Sequence, residues 1–96
     1  MLNKFIEWAN KFAAESSERG VVAKITESEM SDNPSARLDI DTPTKVARIT
    51  FWESGDYFAE ILNNKTGQSM FLSRGSFDIN LDFSNEFVGF FERLND

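Results

Sequence analysis

Asp39 and Asp41 stand two residues apart, a spacing that puts both carboxylates on one side of an extended strand. Such a pair could hold a divalent ion or work as acid and base, given a third ligand or a phosphate-binding loop. The sequence supplies neither. Asp78-Ile79-Asn80-Leu81-Asp82 opens like a calcium loop, but its sixth position is Phe83 where glycine is needed, and its twelfth is Gly89 where Glu is needed. Asn64-Lys65-Thr66 spells a glycosylation sequon and reads as turn material. Glu53-Ser54-Gly55 contains a serine without a nucleophile elbow. The 96 residues include no His and no Cys. Ser-His-Asp and Cys-His constellations, disulfides and Cys/His zinc sites are therefore excluded. Carboxylates, lysines, hydroxyls and Tyr57 remain for acid–base work, and no arrangement of them forms a catalytic site. The chain is expected to be no enzyme and to need no metal or cofactor.

Charge narrows the partners. Ten bases against sixteen acids leave a net charge of −6, which argues against a nucleic-acid binder, whose affinity comes from Lys and Arg on phosphates. The apolar runs fall well short of the roughly 20 residues of a membrane span. Glu7 and Asn10 interrupt any apolar signal-peptide core. Hydrophobic residues at 41% and aromatics at 14% are too many for a disordered chain. These features predict a compact cytoplasmic protein, one domain over 1–96, that binds other proteins and neither nucleic acid nor membrane.

The elements follow from periodicity. Leu2, Phe5, Ile6, Ala9, Phe12 and Ala13 recur at helical spacing with Trp8 in the stripe, predicting a helix over 2–19 that stops at Gly20. Period-two segments follow at 21–29, 36–41, 46–53, 57–62 and 68–73, separated by short turns, which predicts a five-stranded antiparallel meander. Ser76–Leu81 alternates again, as a sixth strand or an extended entry to the last helix. Phe83, Phe87, Phe90, Phe91 and Leu94 then mark that helix, with Asp82 as N-cap. Both apolar helix stripes need cover, most simply on one sheet face. The expected fold is α+β, a two-layer sandwich of helix, meander and helix.

Strand parity decides what the other face carries. Ala36, Leu38 and Ile40, then Ala47, Ile49 and Phe51, then Tyr57, Ala59 and Ile61 form the inward set. Trp52, Phe58 and Leu62 then point outward amid Asp39, Arg48 and Glu60, with Glu53 and Asp56 nearby. A four-residue loop at 42–45 sets Asp39 opposite Arg48, and a three-residue loop at 54–56 sets Trp52 opposite Phe58. Exposed aromatics within a charged rim have the anatomy of a protein-binding surface. Asp39, Trp52, Glu53, Asp56, Phe58 and Glu60 are its candidate contacts. The acid excess sits in 21–43 (Glu27, Glu29, Asp32, Asp39 and Asp41 against two bases) and in 76–96 (five acids against one base). Such charge would steer association with a basic partner.

The stretch Asn33-Pro34-Ser35-Ala36-Arg37-Leu38-Asp39-Ile40-Asp41, followed by Arg48-Ile49-Thr50-Phe51-Trp52-Glu53-Ser54-Gly55, resembles the TriTu family of bacterial immunity proteins. The N-terminal amphipathic helix and the Phe-rich C-terminal helix match the family's layout, so the resemblance covers most of the chain. It implies a small cytoplasmic protein of a polymorphic-toxin or contact-dependent inhibition system. Such a protein binds the C-terminal domain of a cognate toxin, as a monomer in a heterodimeric complex, and blocks it. No catalytic residues carry over. An acidic surface suits a nuclease-type toxin, whose active site is basic to grip phosphate. Two other readings remain open: a small acidic secretion chaperone or scaffold, and a metal-dependent enzyme built on Asp39 and Asp41.

Overall fold

A computed structural model describes residues 2–18, 20–28, 32–77 and 82–95. Helix α1 (Leu2–Ser17) is followed by strands β1 (Val22–Glu27), β2 (Ser35–Asp41), β3 (Lys45–Trp52), β4 (Asp56–Asn63) and β5 (Ser69–Ser76), then by the short helices α2 (Phe83–Glu86) and α3 (Val88–Leu94). The strands form one antiparallel sheet in the order β1-β2-β3-β4-β5. The helices lie on a single face of it, α1 over β1 to β3 and α3 over β4 and β5. This is the expected two-layer α+β arrangement. No helix among the described residues is long and apolar enough to cross a membrane.

Local chemistry sets the ends of these elements. Gly20 adopts a left-handed φ of 75°, and it donates to the Ser17 carbonyl while Val21 donates to Ser16. That paired closure satisfies carbonyls the helix would otherwise leave open. Asp82 caps α2 by accepting from the Asn85 N–H at 3.1 Å. The C-terminal helix, expected to run unbroken, divides at Phe87 (φ −97°, ψ 15°). The division lets Phe83 and Phe87 pack on Tyr57 and Phe77 while Phe90 reaches Phe71 and Phe91 reaches Phe12. The expectation for 76–81 lies largely outside the described residues, since Ser76 ends β5 and 78–81 are not described.

Strand parity comes out as expected. Ala36, Leu38, Ile40, Ala47, Ile49, Phe51, Tyr57, Ala59 and Ile61 are all buried beneath the helices. The β2–β3 turn sets Asp39 opposite Arg48. The β3–β4 turn corrects one expectation, because Phe58 stands opposite Thr50 and not opposite Trp52. The turn spans 53–55 and not 54–56: Gly55 sits at φ 95° and donates to the Trp52 carbonyl at 2.8 Å. A positive φ there closes the turn one residue early and draws Asp56 into the strand.

The core is mainly aromatic. Trp8 lies between 5.6 and 6.1 Å, centroid to centroid, from the rings of Phe5, Phe12, Phe83, Phe87 and Phe91. Phe5 stacks on Phe51 of the sheet at 4.9 Å. At the edge of this cluster Tyr57 donates from its hydroxyl to Glu86 at 2.5 Å, tying β4 to α2. Burial, and then this carboxylate, pushes the Tyr57 phenol above its ordinary pKa. Gly75 faces Tyr57 across the β4–β5 pair, where an added Cβ would lie 2.8 Å from the phenol oxygen.

Two outcomes follow from this packing, both measurable by urea unfolding. Trp8→Ala removes the ring that joins both helical segments and is expected to lose about 3 kcal/mol or more. Gly75→Ala pushes on Tyr57 and is expected to lose about 1–3 kcal/mol, with the loss reduced in a Tyr57→Phe background where the phenol oxygen is gone.

Candidate protein-binding face

Among the described residues no helix lies on the second face of the sheet. In one row Lys24, Asp39, Arg48, Glu60 and Leu72 stand directly opposite one another across all five strands. The adjacent row is Thr26, Arg37, Thr50, Phe58 and Arg74. Strand alternation forces this, because each of these residues except Arg74 neighbours a buried one in its own strand or one packed against the core, and Arg74 follows Leu72 at the same parity of β5.

Trp52 and Phe58 both point outward and are half-buried. Their positions are diagonal, separated by the offset of the β3–β4 turn. The Arg74 guanidinium lies over the Phe58 ring, 5.5 Å from its centroid. Asp39 accepts from Arg48 Nε at 2.6 Å and pairs with Arg37 Nε at 3.3 Å. A shallow depression of about 220 Å³ lies beside that pair, lined by Asp39, Val46, Arg48, Glu60 and Leu62. Leu72 is 54% exposed next to it.

The six candidate contacts therefore fall into two groups. Asp39, Trp52, Phe58 and Glu60 share the open face. Glu53 lies in the β3–β4 turn at its end, and Asp56 opens β4 beside it. Glu53 accepts from the Leu2 N–H at 2.9 Å and so secures the start of α1, and this hydrogen bond lowers its pKa. The Asp56 carboxylate accepts from the hydroxyls of Ser76 and Ser54, which lower its pKa as well. Asp41, the partner of Asp39 in the spacing that suggested acid–base chemistry, lies one row away between Val22 and Val46.

The face is balanced in charge, with Lys24, Arg37, Arg48 and Arg74 among Asp39, Asp41, Asp56 and Glu60. Further exposed acids gather around the turn end, at Glu27, Asp32, Glu53 and Asp82, next to Asp56. Glu29 and Asp78, counted with the acidic segments, lie outside the described residues. Sequence reasoning missed Leu72 and Arg74 as members of the face. The signal was present in the alternation of Leu72 and Arg74 with Phe71, Ser73 and Gly75, once β5 is carried on to Ser76.

An open sheet face that displays aromatics, on a chain of this layout, accords with the comparison by family. Residues 3–93 match the family model described as Immunity protein TriTu. The chain belongs to this immunity protein family. A search of curated proteins finds no match to it. The open face is the feature of this immunity protein that its fold leaves to be explained.

Acid should loosen the turn end first. The pKa values of Glu53 and Asp56 are lowered in the folded chain, so the stability they add is present above the ordinary carboxylate range and is lost as pH falls through their lowered values. The expected loss starts near the ordinary Glu value of 4.5 and grows toward lower pH. Glu53→Gln should flatten that acid limb in thermal melts recorded as a function of pH.

Proposed function

We propose that the immunity protein neutralises its cognate toxin by laying the open sheet face against the toxin domain, in a one-to-one complex within the cytoplasm of the cell it protects. The observation that carries this reading is a sheet face that none of the described helices covers, with Trp52 and Phe58 turned outward, on a chain belonging to an immunity family. Trp52, Phe58, Asp39 and Glu60 form the centre of the contact, with Glu53 and Asp56 at its rim. Large rings surrounded by polar groups are where binding energy concentrates in protein interfaces. Neutralisation is by contact and involves no catalysis, cofactor or metal. The single domain of 1–96 acts without membrane or nucleic acid as a partner.

The toxin is of the nuclease type, delivered by a contact-dependent system. The net charge of −6 and the exposed acids at the turn end support this, since a nuclease grips phosphate with Lys and Arg that such acids can occupy. In this reading the acids at the turn end, rather than the charge-balanced sheet face, do the steering.

The experiment pairs the purified protein with the toxin domain encoded by the neighbouring gene. Binding by calorimetry and loss of nuclease activity in the mixture are the expected results. Trp52→Ala should weaken binding at least tenfold while changing folding stability by about 1 kcal/mol or less. If that variant unfolds, Trp52 is a core residue and the face is misassigned. The association rate should fall as salt rises from 50 to about 500 mM, and a rate indifferent to salt counts against a basic toxin surface. A secretion chaperone or scaffold would instead run as a dimer in size-exclusion chromatography and capture unfolded segments.

A further inference from the structure

The row of alternating charge across the open face is incomplete. Lys24, Asp39 and Arg48 alternate in sign, Glu60 comes next, and the last position is Leu72 where a further base would complete the series. Arg48 stands directly opposite Glu60 but turns the other way, its Nε 2.6 Å from Asp39. Asp39 takes Arg37 as well. Among the described residues Glu60 has no hydrogen bond and no ion pair. Its neighbours on the same face of β4 are Phe58 and Leu62, and Leu72 is opposite it on β5. Glu60 is thus a half-buried carboxylate with apolar side chains on three sides, at the wall of the 220 Å³ depression.

Any surface that covers this face must remove the remaining water from Glu60. A carboxylate taken out of water without a cation is strongly unfavourable, whereas one that gains a cation with hydrogen bonds is not. We propose that the depression beside Glu60 receives one Lys or Arg side chain of the toxin, its alkyl stem lying on Val46 and Leu62 and its charged head on the Glu60 carboxylate. This rests on the proposed use of the sheet face and specifies the chemistry of the partner there. The long stem of a basic residue suits such a site, whose wall is apolar at Val46 and Leu62 and whose one cation, Arg48, is already engaged by Asp39, leaving Glu60 as the acid to be met. The same arrangement confers selectivity, because a toxin surface that offers an apolar or acidic group at this point leaves Glu60 buried and unpaired.

The test measures affinity for the toxin domain encoded by the neighbouring gene, using wild type, Glu60→Gln, Glu60→Lys, Trp52→Ala and, as a control acid exposed on α1 in the helix layer, Glu7→Gln. Glu60→Gln should weaken binding roughly 30-fold or more with an unchanged melting temperature, and Glu60→Lys should weaken it further. Glu7→Gln should stay within about threefold of wild type. A scan of the toxin's surface Lys and Arg to Ala should find one residue whose loss is no longer felt in the Glu60→Gln background, which identifies the inserted side chain without depending on how a Glu60 variant folds. If Trp52→Ala weakens binding while Glu60→Gln equals wild type or binds more tightly, the face is used and the cation site is wrong. If neither variant matters, or wild type does not bind, both the use of the face and the cation site fall.

Discussion

Trp8 is the contact on which the arrangement depends. Its ring meets Phe5 and Phe12 of its own helix and Phe83, Phe87 and Phe91 of the C-terminal segments, and Phe5 carries the contact on to Phe51 in the sheet. The two helical segments lie at opposite ends of the chain, with the meander between them. A tryptophan can join them because its large flat surface offers tilted contacts to several rings at once, each adding about 0.5–1.5 kcal/mol beyond burial. The division of the C-terminal helix at Phe87 belongs to the same arrangement. It aims Phe83 and Phe87 at one part of the cluster and Phe90 and Phe91 at another.

A consequence reaches the other side of the sheet. Nine of the ten Phe are packed on the helix side, in the core or against it, and Phe58 is the exception. Gathering the aromatics on one side leaves the opposite face to be built from what alternation places there: charges, Thr, a few aliphatics, Trp52 and Phe58. The charges are arranged in pairs so that the face stands in water without a cover, Asp39 between two arginines and Arg74 over Phe58. The face can therefore remain open in the free protein and still present apolar area to a partner. Among the described residues Lys24, Asp41 and Glu60 stand outside that pairing, and Glu60 is the half-buried one of the three.

Much of this was legible in the sequence, and what was not has definite causes. The α1 stripe ends at Gly20 because a glycine tolerates the left-handed closure, and the residue type announces it. Asp39 opposite Arg48 was legible because a four-residue turn leaves one register open to the flanking alternation. The pairing of Trp52 was not, because turns at 53–55 and 54–56 shift the partner by two residues, and a period of two cannot register that shift. Gly55 decided it through its positive φ. The tie between Glu53 and Leu2 joins residues 51 apart in sequence, and no local pattern reports such a contact. The break at Phe87 keeps the four-residue spacing of the apolar stripe, so periodicity passes over it.

The sequence by itself determined which side chains share a face, and with that the division into an aromatic core and an open, mixed surface. The reason is that strand alternation and helix period are local properties of the backbone, readable residue by residue. Only the tertiary structure decided who meets whom on those faces: that Trp8 links both ends of the chain, that Glu53 holds a helix start, and that Arg48 turns to Asp39. Those choices depend on turn dihedrals, crossing of layers and rotamers, which are set by packing across the whole fold. They leave Glu60 half-buried between Phe58, Leu62 and Leu72 with its charge unmatched.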